Sequence, residues 1–332
     1  MIVVYILFWL SAGLVFFTHI GYPITLWLLD FIGLGGRAGE VRGRKLSEIP
    51  PAIDPDTEEE ILPSVSLIIA AYNEETVIEA KVKNALELEY PRELLQVIVA
   101  SDGSSDRTVE IAREAGADLV LDLPRGGKIA AQNAAAEAAT GNLLAFSDAN
   151  STWEPGALAE LIDPFRDERV GYVCGQVRFI GPDGGNLEGA YWRYELAMRE
   201  AESRLASVTA GNGAIYATRR EAYVEVDPVM GHDLSFPFNL VKRGWRALYA
   251  PDAKATERMV PSVDGEYARK RRMMSHAWPI VVNGGLARLR AYPPAYAGMV
   301  VSHRLLRYAS PFLHLAVLAA SLALVLRGAR GL

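Results

Sequence analysis

Acidic residues follow three separate apolar, β-branched segments of the sequence, at the point where each segment ends. Glu74, Asp102 and Asp148 come after the first, second and fourth such segments. Like charges that gather in one place repel one another, so this pattern needs a cation or hydrogen-bond donors nearby. Mg²⁺ and Mn²⁺ bind one or two carboxylates together with phosphate oxygens, which indicates a metal-held diphosphate. Taken singly, each acid has a simpler structural role, because Asp-Gly favours turns and Asp caps helices.

A second group of residues suits an anion and a reacting hydroxyl. Lys128 follows the sequence RGG at the predicted start of a helix, where free N–H groups and a lysine attract an anion. Asp233 precedes another predicted helix. The Gly-rich segment 209–216 lets the backbone approach a bulky ligand. The structural alternatives are a helix cap for Asp233 and a tight turn for the glycines.

These residues fall between elements that alternate along the chain. Apolar runs are separated by short helical segments, which predicts an α/β fold with βαβ units, a mostly parallel sheet and helices on both faces. The predicted strands are 65–70, 94–100, 117–121, 142–146 and 170–177. Ligands of such sheets bind at the carboxyl ends of the strands, so we expect the acids to share one edge.

Both ends of the chain are apolar. Residues 1–29 and 311–326 contain no Lys, Arg, Asp or Glu. The first stretch exceeds the ~20 residues of a transmembrane helix. It also lacks the basic start and short core of a signal peptide, so we expect an uncleaved anchor. Basic residues at 37–45 follow it, and the positive-inside rule then places the next domain in the cytoplasm, at the cell (inner) membrane.

The C-terminal apolar run is short for a span unless it extends back past Arg304 and Arg307 to Tyr296. We expect the two arginines and His303 to lie at the membrane interface in that case. The sequence predicts one C-terminal span, which could be the first of several in a longer protein. A buried apolar helix is the alternative.

Composition excludes several classes of protein. Hydrophobic residues make up 50% of the chain and charged residues 22%, which excludes a disordered chain, a coiled coil and a polytopic transporter. The net charge of −6 argues against a general nucleic-acid binder. The single cysteine, Cys174, excludes an internal disulfide and favours a reducing compartment.

Four motifs in this order, AYNEE, ASDGSSDRT, RGGKIAAQNAAAEAATG and FSDAN, resemble those of the family 2 glycosyltransferases. That family comprises membrane-associated inverting enzymes of the GT-A fold, related to cellulose, chitin, hyaluronan and poly-N-acetylglucosamine synthases. The resemblance implies a GT-A (Rossmann-like) domain flanked by N- and C-terminal transmembrane helices. The implied division is an anchor at 1–30, a linker at 31–62, a glycosyltransferase domain at 63–262, interfacial helices at 263–295 and a C-terminal transmembrane segment at 296–332.

On the donor side, the resemblance implies roles for residues at matching positions. Those that resemble contacts to the nucleotide base and ribose are Asn73, Glu74 and Asp102. Those that resemble groups binding the diphosphate are Lys128 and Arg272. Asp148 resembles a ligand of Mg²⁺ or Mn²⁺, and Asn150 stands where the family has a second acid.

On the acceptor side, the resemblance implies that Asp233 is the catalytic base. The residues that resemble acceptor contacts are Gly211, Asn212, Gly213 and His232. His232 replaces the usual Glu, and Met273 replaces a Trp that processive synthases use to stack on the acceptor, so processive synthesis is an open question.

The implied function is inverting transfer of a sugar from a nucleotide-sugar, in particular a UDP-sugar, to a saccharide acceptor in exopolysaccharide or cell-surface glycan synthesis. The implied partners are the donor, a saccharide or lipid-linked acceptor, the lipid bilayer and further membrane subunits, with no nucleic acid. Transfer to a polyprenyl phosphate is one alternative. A catalytically inactive nucleotide-binding subunit is another, and a nucleotidyltransferase explains the Gly-rich segment and Asp233 less well.

Overall fold

The computed structural model of the chain describes residues 2–33, 40–41, 44–45, 61–181, 189–258, 271 and 277–328. Within these residues, eight strands form one mixed sheet. The strands are β1 (Val65–Ala71), β2 (Leu95–Asp102), β3 (Leu119–Leu123), β4 (Leu143–Asp148), β5 (Ser151–Trp153), β6 (Val170–Ile180), β7 (Ile215–Arg219) and β8 (Arg246–Arg258).

Helices separate most of these strands in the described part of the chain. They are α1 (Ile2–Phe16), α2 (Tyr22–Phe31), α3 (Ile78–Leu86), α4 (Thr108–Glu114), α5 (Lys128–Ala138), α6 (Ala157–Ile162), α7 (Ala190–Leu205), α8 (His232–Lys242), α9 (277–282), α10 (Pro294–Met299) and α11 (Leu306–Gly328). Short 3₁₀ turns lie at Arg92–Leu94, Asp163–Arg166, Arg220–Ala222 and Leu289–Ala291.

The sheet has the order β3-β2-β1-β4-β7-β6-β8-β5. Four of its seven strand pairs are parallel, as the sequence predicts, and β7 and β5 pair only with antiparallel neighbours. The chain runs outward from β1 to β2 and β3, then returns to the other side of β1 with β4. Such a reversal opens a crevice at the carboxyl ends of β1 and β4. The register sets Asp148 beside Ala70 at this edge.

Both faces of the sheet are buried, which explains why its strands are apolar runs without polar alternation. Along β1, Ile68 points into one core, whereas Leu67 and Ile69 point into the other. The first core contains α5, α7 and α8, and the second contains α3, α4 and α6. The prediction of helices on both faces is therefore confirmed.

Two helical segments are long and apolar enough to cross a membrane, Ile2–Phe31 with 30 residues and Pro294–Arg327 with 34. A π-helical stretch interrupts each, at Phe17–Gly21 and at Val300–Leu305. The two segments pack against each other, and most of their side chains are exposed in the isolated chain. Exposed apolar surface of this extent is typical of a helix that faces lipid or another protein.

The structure departs from the sequence prediction in two places. The sequence does not predict β5 or β8, which close the far edge of the sheet. The third strand begins at Leu119, because the Asp118 carboxylate accepts a hydrogen bond from the Val97 N–H (2.7 Å) just before the ladder starts. His303, Arg304 and Arg307 contact α7 and the segment after it, and their placement at a membrane interface stays a prediction.

The predicted linker at 31–62 and interfacial helices at 263–295 fall partly outside the described residues. Within the linker, Glu40–Val41 pairs with Arg44–Lys45 as a two-residue hairpin. The division of the chain at these places stays a prediction.

Candidate active site

The turns after β1 and β2 are joined by hydrogen bonds. Asn73 has a positive φ of 52°, and its side-chain oxygen accepts from the Ser105 N–H (2.8 Å) while its own N–H donates to Ser104 Oγ (3.0 Å). The Glu74 N–H donates to Thr108 Oγ1 (2.8 Å). The sequence predicts that Asn73 and Glu74 contact a nucleotide. In this structure the Asn73 amide oxygen fixes the geometry of the two turns instead, whereas the Glu74 carboxylate stays at the strand edge.

Asp102, at the end of β2, is almost entirely buried. Its Oδ1 accepts from the N–H groups of Gly126 (2.7 Å) and Gly127 (2.8 Å), and its Oδ2 accepts from Arg125. Gly127 has a φ of 93°, a conformation that glycine adopts without a steric penalty. The carboxylate predicted to bind ribose therefore organises the turn that leads into α5.

Lys128, the first residue of α5, follows directly from that turn. Its ammonium group pairs with the Asp148 carboxylate at the end of β4 and also contacts the Gly213 carbonyl oxygen (3.4 Å). Lys128 and Asp148 are both partly exposed to solvent. Lys128 therefore connects the strand edge to the Gly-rich segment.

Glu74 and Asp148 form a pair of acidic groups that could hold a divalent cation. Burial, then the negative charges of Asp148 and Asp106, raises the pKa of the Glu74 carboxyl. A cation between Glu74 and Asp148 would relieve this repulsion, and two carboxylates with phosphate oxygens suffice for Mg²⁺. No group of three or more His, Cys, Asp or Glu suited to a metal occurs among the described residues. Asn150 is exposed, and its predicted ligand role stays a prediction.

The Gly-rich segment packs closely onto β6. A Cβ added to Gly211 would lie 2.0 Å from the Tyr172 hydroxyl oxygen, so only glycine fits there without movement. The Asn212 side chain bonds to backbone at both ends: it donates to the Gly175 carbonyl (2.7 Å) and accepts from the Ile215 N–H (2.9 Å). Asn212 was predicted to contact an acceptor, but its amide is occupied in holding the segment, which leaves backbone at Gly211 and Gly213 nearest the site.

Asp233 lies at the start of α8 with its side chain exposed. Its carbonyl oxygen accepts from the Gly211 N–H (2.7 Å), which holds the Gly-rich segment against this helix. An exposed carboxylate in this place has the access that a general base needs.

His232, next in sequence, was predicted to contact the acceptor, but its imidazole is buried at 3% exposure. Nδ1 hydrogen-bonds to the Tyr216 hydroxyl (2.7 Å), and Phe146 and Phe236 pack against the ring. Burial, together with the charge of Lys128, lowers the pKa of His232 to about 3. The ring is therefore neutral and anchors the start of α8 from below.

Arg272, predicted to bind the diphosphate, lies outside the described residues. Six of the other predicted residues are connected: Asp102, Lys128, Asp148, Gly213, Gly211 and Asp233. Asp102 holds the turn before Lys128, Lys128 contacts Asp148 and Gly213, and Gly211 bonds to Asp233. The acids from distant parts of the sequence therefore line one continuous edge.

The sequence reasoning missed Tyr72 and Lys81 at this edge. The exposed Tyr72 ring carries the Arg125 guanidinium 3.4 Å from its centre. Lys81 is buried over the Trp153 ring, and burial lowers the pKa of its ammonium group to about 7 against the raising effect of Asp148. A lysine on the apolar face of an amphipathic helix is the signal that could have revealed Lys81.

The larger omission is Glu202 on α7. Its buried carboxylate binds Tyr22 and His303 from the two apolar segments and Thr209 at the start of the Gly-rich segment. Met198, Ala201 and Leu205 are buried on the same helix face. An acid within an apolar helix face is the sequence signal that was available for this residue.

Comparison with known proteins agrees with this geometry. Residues 66–226 match the family model described as glycosyl transferase family 2. The chain is 36% identical over 128 residues to probable glycosyltransferase YdaM of Bacillus subtilis, a match that covers 36% of this chain and 30% of YdaM. It is 26% identical over 211 residues to poly-beta-1,6-N-acetyl-D-glucosamine synthase of Staphylococcus aureus, covering 59% of this chain and 50% of the synthase. The chain thus spans half or less of the length of these two relatives.

A solved structure of the mannosyltransferase PcManGT from Pyrobaculum calidifontis, in complex with GDP-Man and Mn²⁺, has a TM-score of 0.70 with this chain at 23% identity. The match covers 98% of this chain and 91% of PcManGT. The predicted GT-A fold is confirmed. Residues 66–226 therefore resemble a family 2 glycosyltransferase domain.

Proposed function

We propose that this protein transfers a sugar from a nucleotide-sugar to a hydroxyl group of a saccharide acceptor, with inversion at the anomeric carbon, in the synthesis of an exopolysaccharide or cell-surface glycan. The observation that carries the proposal is the connected series from Asp102 through Lys128 to Asp148 and, through Gly213 and Gly211, to Asp233. A transferase that joins two substrates needs donor-binding groups and a base along one continuous edge.

On the donor side, the crevice at the ends of β1, β2 and β4 would receive the nucleotide. The exposed Tyr72 ring offers a flat face on which a base can stack, with Arg125 as a movable cover. Lys128 would leave Asp148 to neutralise the diphosphate, since its side chain is partly exposed and free to reorient. Asp102 would act indirectly, by keeping the N–H groups of Gly126 and Gly127 in place.

A divalent cation held by Asp148 and Glu74 would supply positive charge to the leaving diphosphate. The mannosyltransferase PcManGT, which holds GDP-Man and Mn²⁺ in its solved structure, supports a nucleotide-sugar and a divalent cation as the ligands of this chain.

On the acceptor side, the Asp233 carboxylate would take the proton of the acceptor hydroxyl as that oxygen attacks the anomeric carbon. The attack comes from the face opposite the leaving nucleoside diphosphate, so a single displacement inverts the configuration. The close approach of Gly211 and Gly213 would leave room for a sugar ring beside the carboxylate.

The two apolar segments, Ile2–Phe31 and Pro294–Arg327, would span the bilayer, with the sheet domain at its cytoplasmic side. The basic residues at 37–45 support this orientation through the positive-inside rule. The match to poly-beta-1,6-N-acetyl-D-glucosamine synthase supports a saccharide acceptor.

The test is turnover of a panel of radiolabelled UDP- and GDP-sugars by the full chain in membrane vesicles, with Mn²⁺, Mg²⁺ or EDTA. We expect label from one donor to enter an alkali-stable saccharide fraction, in a reaction that EDTA stops. Label that enters only a lipid-extractable, acid-labile product would replace the saccharide acceptor with a polyprenyl phosphate. Binding of a nucleoside diphosphate without transfer from any donor would indicate an inactive subunit and overturn the proposal.

A further inference from the structure

Glu202 is buried in α7 and all its hydrogen-bond partners come from other parts of the chain. Oε1 accepts from the Tyr22 hydroxyl (2.6 Å) and from His303 Nδ1 (2.7 Å). Oε2 accepts from the N–H (3.1 Å) and the hydroxyl (2.9 Å) of Thr209. Tyr22 lies 180 residues away in sequence and His303 lies 101 residues away, on the two apolar segments. One carboxylate therefore joins three separate elements.

The Glu202 carboxylate is charged in this setting. Burial by itself raises a carboxyl pKa, but His303, Arg304 and Tyr22 together lower the pKa of Glu202 to about 2. Hydrogen bonds to an ionised group inside a protein are stronger than neutral ones. The carboxylate thus fixes its partners more firmly than an ordinary polar contact would.

Thr209 links the Glu202 carboxylate to the Gly-rich segment, because Thr209 is the first residue of that segment. Its hydroxyl also accepts from Arg304 Nε (2.9 Å), and the carbonyl oxygen of Val208 before it accepts from the Tyr296 hydroxyl (3.1 Å). Two residues after Thr209, the Gly211 N–H bonds to the carbonyl of Asp233. The path from the apolar segments to the proposed base therefore runs through bonded neighbours without a gap.

The donor turns have no such connection. Asp102 and Lys128 bond to their own turn, to Asp148 and to Gly213, and none of these hydrogen bonds within the described residues reaches an apolar segment. A disturbance of the apolar segments should thus reach the acceptor side before the donor side.

We propose that Glu202 is a positioning residue for transfer, which sets the segment Thr209–Gly213 against Asp233 only when Tyr22 and His303 of both apolar segments are in place. Transfer then depends on the seating of those segments in the bilayer. The expected effect on turnover rests on the proposed function. The expected effect on the order of the segment Thr209–Gly213 does not.

The test compares three variants of the full chain in the same vesicles. Glu202→Gln keeps the shape of the side chain but removes its charge. Tyr22→Phe removes the hydroxyl group that donates to Glu202 and keeps the aromatic ring. Glu200→Gln is the matched control, because Glu200 is exposed on the same helix and pairs with Arg204 rather than with the Gly-rich segment.

Hydrogen exchange is read at the amides of Thr209 and Gly211, with the amides of β1 as the internal reference. We expect exchange at the two segment amides to rise about 10-fold or more in Glu202→Gln and about 3-fold in Tyr22→Phe. The β1 amides should not change in any variant, and Glu200→Gln should match the wild type. With the donor that the panel identifies, kcat should fall about 10-fold in Glu202→Gln while the KM for that donor stays within about 2-fold.

Unchanged exchange at Thr209 and Gly211 in both variants would overturn the inference. Faster exchange in β1 to the same degree would also overturn it, because Glu202 would then only stabilise the whole domain. If Glu202→Gln fails to fold, Tyr22→Phe still decides. Faster segment exchange with an unchanged kcat would refute the positioning role and leave the proposed function intact, whereas a wild type without transfer from any donor refutes the proposed function alone.

Discussion

The donor and acceptor sides of this glycosyltransferase domain are built in different ways. On the donor side, Asp102 holds the turn that precedes Lys128, and Lys128 pairs with Asp148 at the end of β4. On the acceptor side, the segment before Asp233 is held by a buried charge, Glu202, whose partners come from both ends of the chain. The described groups of the proposed donor side thus lie mostly between Tyr72 and Asp148, whereas the proposed acceptor side depends on contacts from both ends of the chain.

The pKa shifts of two carboxyl groups, one on each side, also have opposite directions. On the donor side, burial and neighbouring acids raise the pKa of Glu74, so its charge is unfavourable until a cation arrives. On the acceptor side, the pKa of Glu202 is lowered to about 2, so its charge already has its partners. The first arrangement suits a site that awaits a charged ligand, and the second suits a permanent scaffold.

The largest effect is expected from the base. Asp233→Asn should reduce transfer by about 10³-fold, since general base catalysis contributes on the order of 10²–10⁴. Affinity for the nucleoside diphosphate should be unchanged, because the proposal assigns the Asp233 side chain to the acceptor hydroxyl and not to the nucleotide. Single-turnover transfer and calorimetric binding measure the two quantities. Retained turnover would remove Asp233 from the base role and would erase the distinction between the two sides.

The opposite pKa shifts predict opposite changes in stability. At pH 7, Glu202→Gln should lower the free energy of local opening of the segment Thr209–Gly213 by about 1.4 kcal/mol, the equivalent of about 10-fold faster exchange, because Tyr22, His303 and Thr209 lose the negative charge that they bind. Glu74→Gln should leave the melting temperature equal or slightly higher, because it removes an unfavourable charge. Hydrogen exchange at the Thr209 and Gly211 amides measures the first change, and thermal unfolding followed by tryptophan fluorescence measures the second.

The pH dependence follows from the same shifts. The folded-state pKa of Glu202 lies below the unfolded value, so its contribution is present above about pH 4.5 and is lost as the pH falls towards 2. The difference between wild type and Glu202→Gln should therefore shrink in that window. For Glu74 the folded-state pKa is raised, so stability is lost as the pH rises through its titration. Parallel pH profiles for the two variants would contradict the comparison.

A smaller effect is expected from the donor turn. Asp102→Asn removes one acceptor oxygen from the N–H groups of Gly126 and Gly127 or from Arg125, and should weaken nucleotide binding by about 10- to 100-fold. The exchange of the Thr209 and Gly211 amides should stay at the wild-type rate. Titration with the nucleoside diphosphate provides the affinity, and an equal loss of order in the Gly-rich segment would show that the two sides are not separate.

The smallest effect concerns packing below the acceptor segment. Gly211→Ala should cost about 1.5 kcal/mol of stability, because the added Cβ meets the Tyr172 hydroxyl. Tyr172→Phe removes that oxygen and should restore part of the loss in the double variant. Chemical denaturation of the two single variants and the double variant measures the coupling. Additive losses would mean that Tyr172 is not the residue that requires glycine here.

The sequence predicted the strands β1, β2, β4 and β6 and the acids that follow three of them. Strand periodicity and turn residues are local signals, and the carboxyl ends of parallel strands must meet at one edge. The roles of those residues were less predictable. Asp102 and Asn73 bond to nearby backbone, and His232 is buried among aromatic rings, because the side-chain partner is chosen by the packing of other elements.

Glu202 illustrates the limit most clearly. Its sequence neighbours predict a charged amphipathic helix, and Tyr22 and His303 belong to segments that the sequence assigns to the membrane. Nothing in the spacing of these residues indicates that they meet.

The sequence alone determined the α/β class, the two apolar ends, the edge of the sheet that carries the acids and the resemblance to a family. Each of these depends on composition or on a short-range pattern. Tertiary structure alone decided which carboxylates are already neutralised by partners and which remain open to a ligand. The reason is that the charge state and contacts of a buried group depend on atoms brought next to it by the fold, here from positions more than 100 residues away in the chain.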